Sequence, residues 1–489
     1  TDLKVFHGGI TPSDIEQGML GDCYFLSALS VLAEHPRRVT DPFQTDFANS
    51  QGKYVIRFFV NGVPTDIVLD DLFPYFRGKA AFSRAKGPEI WVLLAEKAWA
   101  KMHGSYQNII GGAPGDVLST FTGAPSTVYK FKGKFAVSES IIWRKLLEGE
   151  GNKWIMTGSV PDNPTRDLQK EVGLIEEHSY GILDVREVNG GRDRLVCARN
   201  PWGRVEWTGA WSDNSSRWTP ELKREVGFTD ADDGLFWMAF EDFQRYFSQV
   251  TITEVNDDHS YAYTRLRNPK AGHLNCVHLE VTRRTQGAIE MHQPSIKTQR
   301  VKDPRYAYGG MYFHIIAMEP TPRLVADSEA LKAQTVYARV DLEPGNYMIV
   351  CQAAMPTARE VVLSAYMTEP VSLRASTRKQ AEVEATLATI YRSEALTRGE
   401  AMDFSRAHGC SGMVWGWNGG MCMVYQNGAR AGTLVEDLVM NLENAYVVGG
   451  RGQTMKLRIG SGKEQVIIVR THAVGSPWGY GYTRSFRIE

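Results

Sequence analysis

The stretch Gln17-Gly18-Met19-Leu20-Gly21-Asp22-Cys23-Tyr24-Phe25-Leu26 sets the reading of this chain. Beyond Cys23, the residues Phe25, Leu26, Ala28, Leu29 and Leu32 recur with the i, i+3, i+4, i+7 spacing of a buried helix. Gly21-Asp22 starts that helix and His35-Pro36 ends it. Cys23 then lies in the first turn, where free backbone N–H groups and the positive end of the helix dipole favour a thiolate. A thiolate is the nucleophile that cysteine chemistry needs. Gln17 is six residues upstream and offers a side-chain N–H to an oxyanion. A lone cysteine is more often a buried structural residue. Gln17 and the helix start shift that balance, and a base elsewhere in the chain settles it.

The chain has 489 residues, enough for three or four domains. With 43% hydrophobic and 23% charged residues it has the composition of a globular protein. Its net charge of −1 provides no bulk field for nucleic acid or an acidic membrane. No apolar run approaches the ~18 residues of a membrane span. No signal peptide is visible, and the start at Thr1 rather than Met leads us to expect an excised fragment. Cys23, Cys197, Cys276, Cys351, Cys410 and Cys422 are scattered with no C-x-x-C, which argues against zinc and disulfides and for a reducing compartment.

Tyr54 to Val60, Asn61-Gly62 and Val63 to Asp71 read as a hairpin. Residues 89 to 104 read as a helix with Trp91, Leu94, Ala95, Ala98, Trp99 and Met102 on one face and Gly104 as its C-cap. A glycine-rich turn follows at Gly111 to Gly115. Strand texture begins near residue 126. The hairpin from His178 to Asn200 turns at Gly190-Gly191, and that turn sets Asn200 opposite Gly181. His178 and Asn200 thus share one end of it, a candidate base with its orienting group. Trp202, Trp207, Trp211, Trp218 and Trp237 suggest a rigid core against loops, with Trp202 placed to shield the His–Asn pair. From 251 onward the chain is almost all short strands, apart from a helical stretch at 381 to 398, which suits two β-sandwiches. No D-x-[DN]-x-[DN]-G loop occurs, so EF-hands are absent from this sequence.

Asp14 to Leu26 resembles the active-site signature of the calpain cysteine proteases. Glu89-Ile90-Trp91 through Ala98, Gly111-Gly112, His178-Ser179-Tyr180, Arg199 to Asp213 and Asp233 to Phe243 are similar to the later blocks of that family, in family order. The resemblance spans residues 7 to 247. It implies an α+β, papain-like protease core in two subdomains, 1–125 and 126–250. The C-terminal half looks like two C2-like antiparallel β-sandwiches, 251–375 and 376–489. The missing EF-hands make the chain resemble atypical calpain-like proteins, including those of protists. The resemblance assigns Cys23 as nucleophile, His178 as base, Asn200 as orienter and Gln17 to the oxyanion. It gives Gly111 and Gly112 contacts to the substrate backbone, and places Glu177 and Trp202 beside the bound substrate. Two departures stand out: Glu177 where the family commonly writes Gly, and Tyr24 where it commonly writes Trp.

The family also implies two calcium sites. The first falls on backbone oxygens of His7 and Gly9 with the carboxylates of Asp14 and Glu89. The second falls on Glu206, Asp213, an oxygen near Ala231, and Asp233. Its last carboxylate position reads Leu235, and the arginine that would face that position reads Pro12. We therefore expect Ca²⁺ at the first site and weak binding or none at the second. The implied function is a calcium-dependent cysteine endopeptidase of the cytoplasm that makes limited cuts in protein substrates. Its sandwiches would allow membrane or cytoskeleton association, with no nucleic acid and no EF-hand small subunit as partners. The alternative is a catalytically silent scaffold that acts through its sandwiches. The retention of Cys23, His178, Asn200 and Gln17 favours the enzyme.

Overall fold

The computed structural model describes residues 4–162, 167–299, 303–354, 360–405, 407–450, 452–472 and 474–489. The chain divides into two compact units, Thr1–Asp258 and His259–Glu489. Among the described residues no helix is long and apolar enough to cross a membrane.

In the first unit, helix α1 (Cys23–Ala33) starts where the Asp22 carbonyl accepts the N–H groups of Phe25 and Leu26. All ten residues from Tyr24 to Ala33 are buried. Pro36 opens a separate short helix, Pro36–Thr40, so α1 stops before the expected His35-Pro36 boundary. The hairpin of β1 (Lys53–Val60) and β2 (Val63–Asp70) turns at Asn61 and Gly62, both at positive φ, the geometry that matches strand twist. Helix α2 (Trp91–His103) ends on Gly104 at φ 93°. Its Trp99 stacks on Phe25 of α1 with ring centroids 5.7 Å apart. Helix α3 (Pro114–Thr122) begins inside the expected glycine-rich turn, with Pro114 at its first position.

The rest of this unit is a six-stranded antiparallel sheet. Its strands are β3 (Ser126–Lys130), β4 (Ile155–Val160), β5 (His178–Val188), β6 (Asp193–Arg199), β7 (Leu235–Ala239) and β8 (Gln249–Thr253), in the spatial order β7-β6-β5-β4-β8-β3. One face packs on Ile142, Trp143 and Leu146 of helix α4 (Glu139–Gly151) and on Phe240, Phe243 and Phe247. The other buries Trp211, Trp218 and Trp237; of the remaining two tryptophans expected in one core, Trp207 packs on the first face and Trp202 is half-buried. The β5–β6 register follows the expected pairing as far as Cys197 opposite Asp184. A bulge between Cys197 and Ala198 then sets Arg199, not Asn200, opposite Gly181. Gly181 is also where β5 meets α1: a Cβ there would stand 2.7 Å from Val31 Cγ1. That close approach brings the strand carrying His178 onto the helix carrying Cys23.

The second unit holds two pairs of packed antiparallel sheets. Strands Ser260–Arg267, Glu360–Met367, Thr285–His292 and Thr335–Leu342 form a four-stranded sheet. It packs on a five-stranded sheet of Arg323–Asp327, Met311–Ala317, Gly345–Ala353, His273–Val281 and Val371–Lys379. A five-stranded and a three-stranded sheet build the second pair between residues 400 and 488. Helix α5 (Gln380–Arg398) is buried between the two five-stranded sheets through Val383, Leu387, Ile390, Tyr391 and Ala395. Ile349 and Cys351 therefore face a sandwich core while Met348 and Val350 face α5, so the run is apolar without alternation. Two expected boundaries fall inside strands: 250 cuts β8, and 375 cuts Val371–Lys379. β8 lies inside its sheet between β4 and β3, whereas Val371–Lys379 is an edge strand whose largely exposed, polar residues run on directly into helix Gln380–Arg398, so neither point carries a break in texture.

Candidate active site

Cys23 is the first residue of α1 and half-buried, with Sγ 3.9 Å from the carbonyl oxygen of Glu177. Glu177 is exposed and sits at φ 49°, a left-handed conformation that favours glycine. That backbone demand is the reason a glycine suits the position. His178 opens β5 and is buried, paired with Val160 of β4. Its Nε2 lies 2.8 Å from Asn200 Oδ1. The Asn200 amide nitrogen donates to the carbonyls of Arg204 and Val205, both at 3.0 Å. Those two carbonyls accept only, so Oδ1 must face the imidazole and also takes the Trp202 backbone N–H. The Nε2 of His178 therefore carries the proton, and Nδ1 is left as the basic nitrogen.

Trp202 does more than cover this pair. Its ring lies 4.9 Å from the His178 ring, and its indole N–H donates to Gln17 Oε1 at 2.8 Å. Gln17 in turn donates one amide N–H to the Leu20 carbonyl at 2.7 Å. The loop before α1 and the loop after β6 are thus tied by one hydrogen bond, which the sequence did not signal. Gly111 has φ 64° and donates its N–H to the Gly21 carbonyl. Gly112 lies against the Tyr24 ring, where a Cβ would stand 2.5 Å from ring carbons. Tyr24 keeps a polar handle: its hydroxyl accepts from Trp99 Nε1 and donates to the Ile109 carbonyl.

The electrostatics correct one expectation. The backbone N–H groups at the helix start do favour the Cys23 thiolate, but burial outweighs them and the thiol is pushed up. The Asp22 charge adds to that rise. Burial also lowers His178 to about 4, against the pull of Asn200. Both shifts favour the neutral thiol and the neutral imidazole.

The expected metal ligands fall into two places. Asp14 accepts the Thr11 N–H at 2.7 Å, capping the turn Pro12–Asp14, while buried Glu89 accepts the His7 N–H at 3.0 Å. The Gly9 backbone is exposed at φ 105°. Elsewhere Glu206 accepts the N–H groups of Asp233 and Gly234 and has Asp213 beside it. Burial, then the neighbouring Asp213 charge, raises Glu206 to about 7, and buried Asp213 Oδ1 has no partner. Leu235 begins β7 and gives its N–H to Asp233 Oδ1 at 3.0 Å. Its side chain packs against the Trp237 core. Among the described residues no three His, Cys, Asp or Glu side chains converge as a metal cluster.

Residues 1–254 match the calpain family cysteine protease. The chain belongs to that family. It is 36% identical over 258 residues to the calpain-type cysteine protease DEK1 of Arabidopsis thaliana, covering 51% of this chain and 12% of that protein. It is 35% identical over 263 residues to calpain-9 of Rattus norvegicus, covering 51% of this chain and 37% of that one. The chain thus spans a minor part of the curated relatives it matches. A solved structure of the clostridial cysteine protease Cwp84 overlaps 76% of this chain and 86% of that one at 11% identity, with a TM-score of 0.21, too low to bear on the fold.

Proposed function

We propose that this calpain-family chain is a cysteine endopeptidase that cuts proteins through Cys23, His178 and Asn200 under calcium control. The observation that carries this reading is the Asn200–His178 hydrogen bond, whose polarity leaves Nδ1 as the base. In this reaction Nδ1 takes the Cys23 proton and the thiolate attacks the peptide carbonyl carbon. The Cys23 backbone N–H and the second Gln17 amide N–H meet the oxyanion. The imidazolium returns its proton to the departing amine, and water then hydrolyses the thioester. Gly111, Gly112, Glu177 and Trp202 border the substrate.

The candidate calcium donors are hard oxygens, and the unpartnered Asp213 carboxylate oxygen supports a cation there. Calcium, when bound, supplies a positive charge that offsets clustered carboxylates. Asp14 and Glu89 with the Gly9 carbonyl would hold one ion; Glu206, Asp213 and Asp233 would hold a second more weakly, because Leu235 adds no ligand. We read the C-terminal sheet pairs as C2-like modules for membrane or cytoskeletal placement in the cytoplasm. Six unpaired cysteines support a reducing compartment. Labelling by a thiol-directed peptidyl inhibitor, with Cys23→Ser as control, tests the reading. Labelling confined to Cys23 in the presence of calcium is expected. An unlabelled, folded protein would leave a scaffold instead.

A further inference from the structure

Asp22 occupies the N-cap of α1, where an aspartate ordinarily accepts a backbone N–H from the first turn. Here its side chain makes no such bond. It is wholly buried, and neither carboxylate oxygen has an N–H or hydroxyl donor. The side chain it meets is that of Glu96 on α2, itself 2% exposed. Glu96 accepts the Ser83 N–H at 2.9 Å. Two carboxyl groups cannot bond each other unless one keeps its proton, and two buried carboxylates in contact would repel. The groups facing the pair are Cys23 and Tyr24 on α1, Ser83, and Tyr106 in the turn Tyr106–Ile109. Burial and then Glu96 are the main influences on Asp22, and no cation is among them.

We propose that Asp22 and Glu96 share one proton and act as a positioning pair that seats the start of α1, and with it the Cys23 thiol, on α2. The pair carries one negative charge beside the nucleophile. Burial pushes Asp22 up to about 6 and Glu96 well above the usual carboxylate range. An acid held above its unfolded value stabilises the fold at low pH and loses that contribution as pH rises through the folded value. The link to the nucleophile rests on the reading of Cys23 given above; the shared proton does not.

The test compares the full chain with Glu96→Gln, Asp22→Asn, the double amide and Glu96→Ala. Either amide supplies a donor in place of the shared proton, so both single amides should fold, unlike or far better than Glu96→Ala. Only Glu96 differs between them, so the melting temperature of the wild type should fall relative to Glu96→Gln as pH rises from the ordinary glutamic acid value of 4.5 toward the raised value of Glu96. The infrared difference between them should show a protonated-carboxyl carbonyl band, lost in the variant at neutral pH. Removing the charge in the double amide should move the pH midpoint of Cys23 alkylation by iodoacetamide down by about one unit. The proposal is overturned if both single amides fail to fold, if the infrared band is unchanged, or if the midpoint stays in place. A Cys23 that iodoacetamide never modifies in the wild type, with the band and melting shift intact, would refute the nucleophile and leave the pair standing.

Discussion

Asn200 Oδ1 lies 2.8 Å from His178 Nε2, and the carbonyls of Arg204 and Val205 decide which way that amide faces. Asn200→Ala removes the acceptor and strands two carbonyls. The expected loss of kcat/KM is about 10- to 100-fold, matching the ~1–3 kcal/mol cost of an unsatisfied buried partner. His178→Ala and Cys23→Ala should lose about four orders of magnitude, because in the proposed reaction each removes a group that exchanges a bond or proton. Peptide hydrolysis with active-site titration checks both, and a full rate for Asn200→Ala would mean that another group holds the imidazole.

The Trp202–Gln17 bond gives a more selective test. Trp202→Phe keeps a ring beside His178 and removes only the donor to Gln17 Oε1. A net hydrogen bond of about 1 kcal/mol corresponds to roughly a fivefold fall in kcat, with little change in melting temperature. If Gln17 meets the oxyanion, Trp202→Phe combined with Gln17→Ala should be no worse than Gln17→Ala alone. Additive losses would separate the two residues.

The thiol and imidazole predict a pH profile. Cys23 is held above its ordinary value and His178 is lowered to about 4, so neither is charged at neutral pH. Without calcium, Cys23 alkylation should climb with pH and continue to climb past 9, since the thiolate fraction grows only as pH nears the raised value. A plateau below pH 7 in calcium-free protein would show a preformed thiolate–imidazolium pair.

The proposed calcium binding separates the two carboxylate groups. Burial and the neighbouring Asp213 raise Glu206 to about 7, so a proton competes with a cation there, and Leu235 offers no fourth carboxylate. Calorimetry at neutral pH should show one strong event, removed by Asp14→Ala and kept by Asp233→Ala. Two equally tight, cooperative events would contradict this assignment.

Packing at Gly181 bears on stability. A Cβ there reaches within 2.7 Å of Val31 Cγ1, so Gly181→Ala should cost about 1–3 kcal/mol in urea unfolding. Val31→Ala should recover part of that loss when combined with it. Independent, additive costs would show that the clash is relieved elsewhere.

Local pattern by itself determined much of this protein. The buried helix after Cys23, the Asn61-Gly62 hairpin, the helix ending on Gly104 and the helix within 380–398 all follow from periodicity and turn chemistry that act over a few residues. The His178–Asn200 pairing was also legible, because one tight turn carries a register up both strands until something interrupts it. Tertiary structure supplied the interruption. Asn200 N–H bonds the Gly234 carbonyl and Arg199 pairs with Leu235 of β7, so the bulge after Cys197 answers to a strand some forty residues downstream. The Trp202–Gln17 tie and the Asp22–Glu96 contact join residues 185 and 74 positions apart. No periodicity encodes such pairs, since they exist only once α1 has packed against α2 and β5. The same packing decided the state of Cys23: the helix start favours a thiolate, and burial, a property of the whole fold, outweighs it.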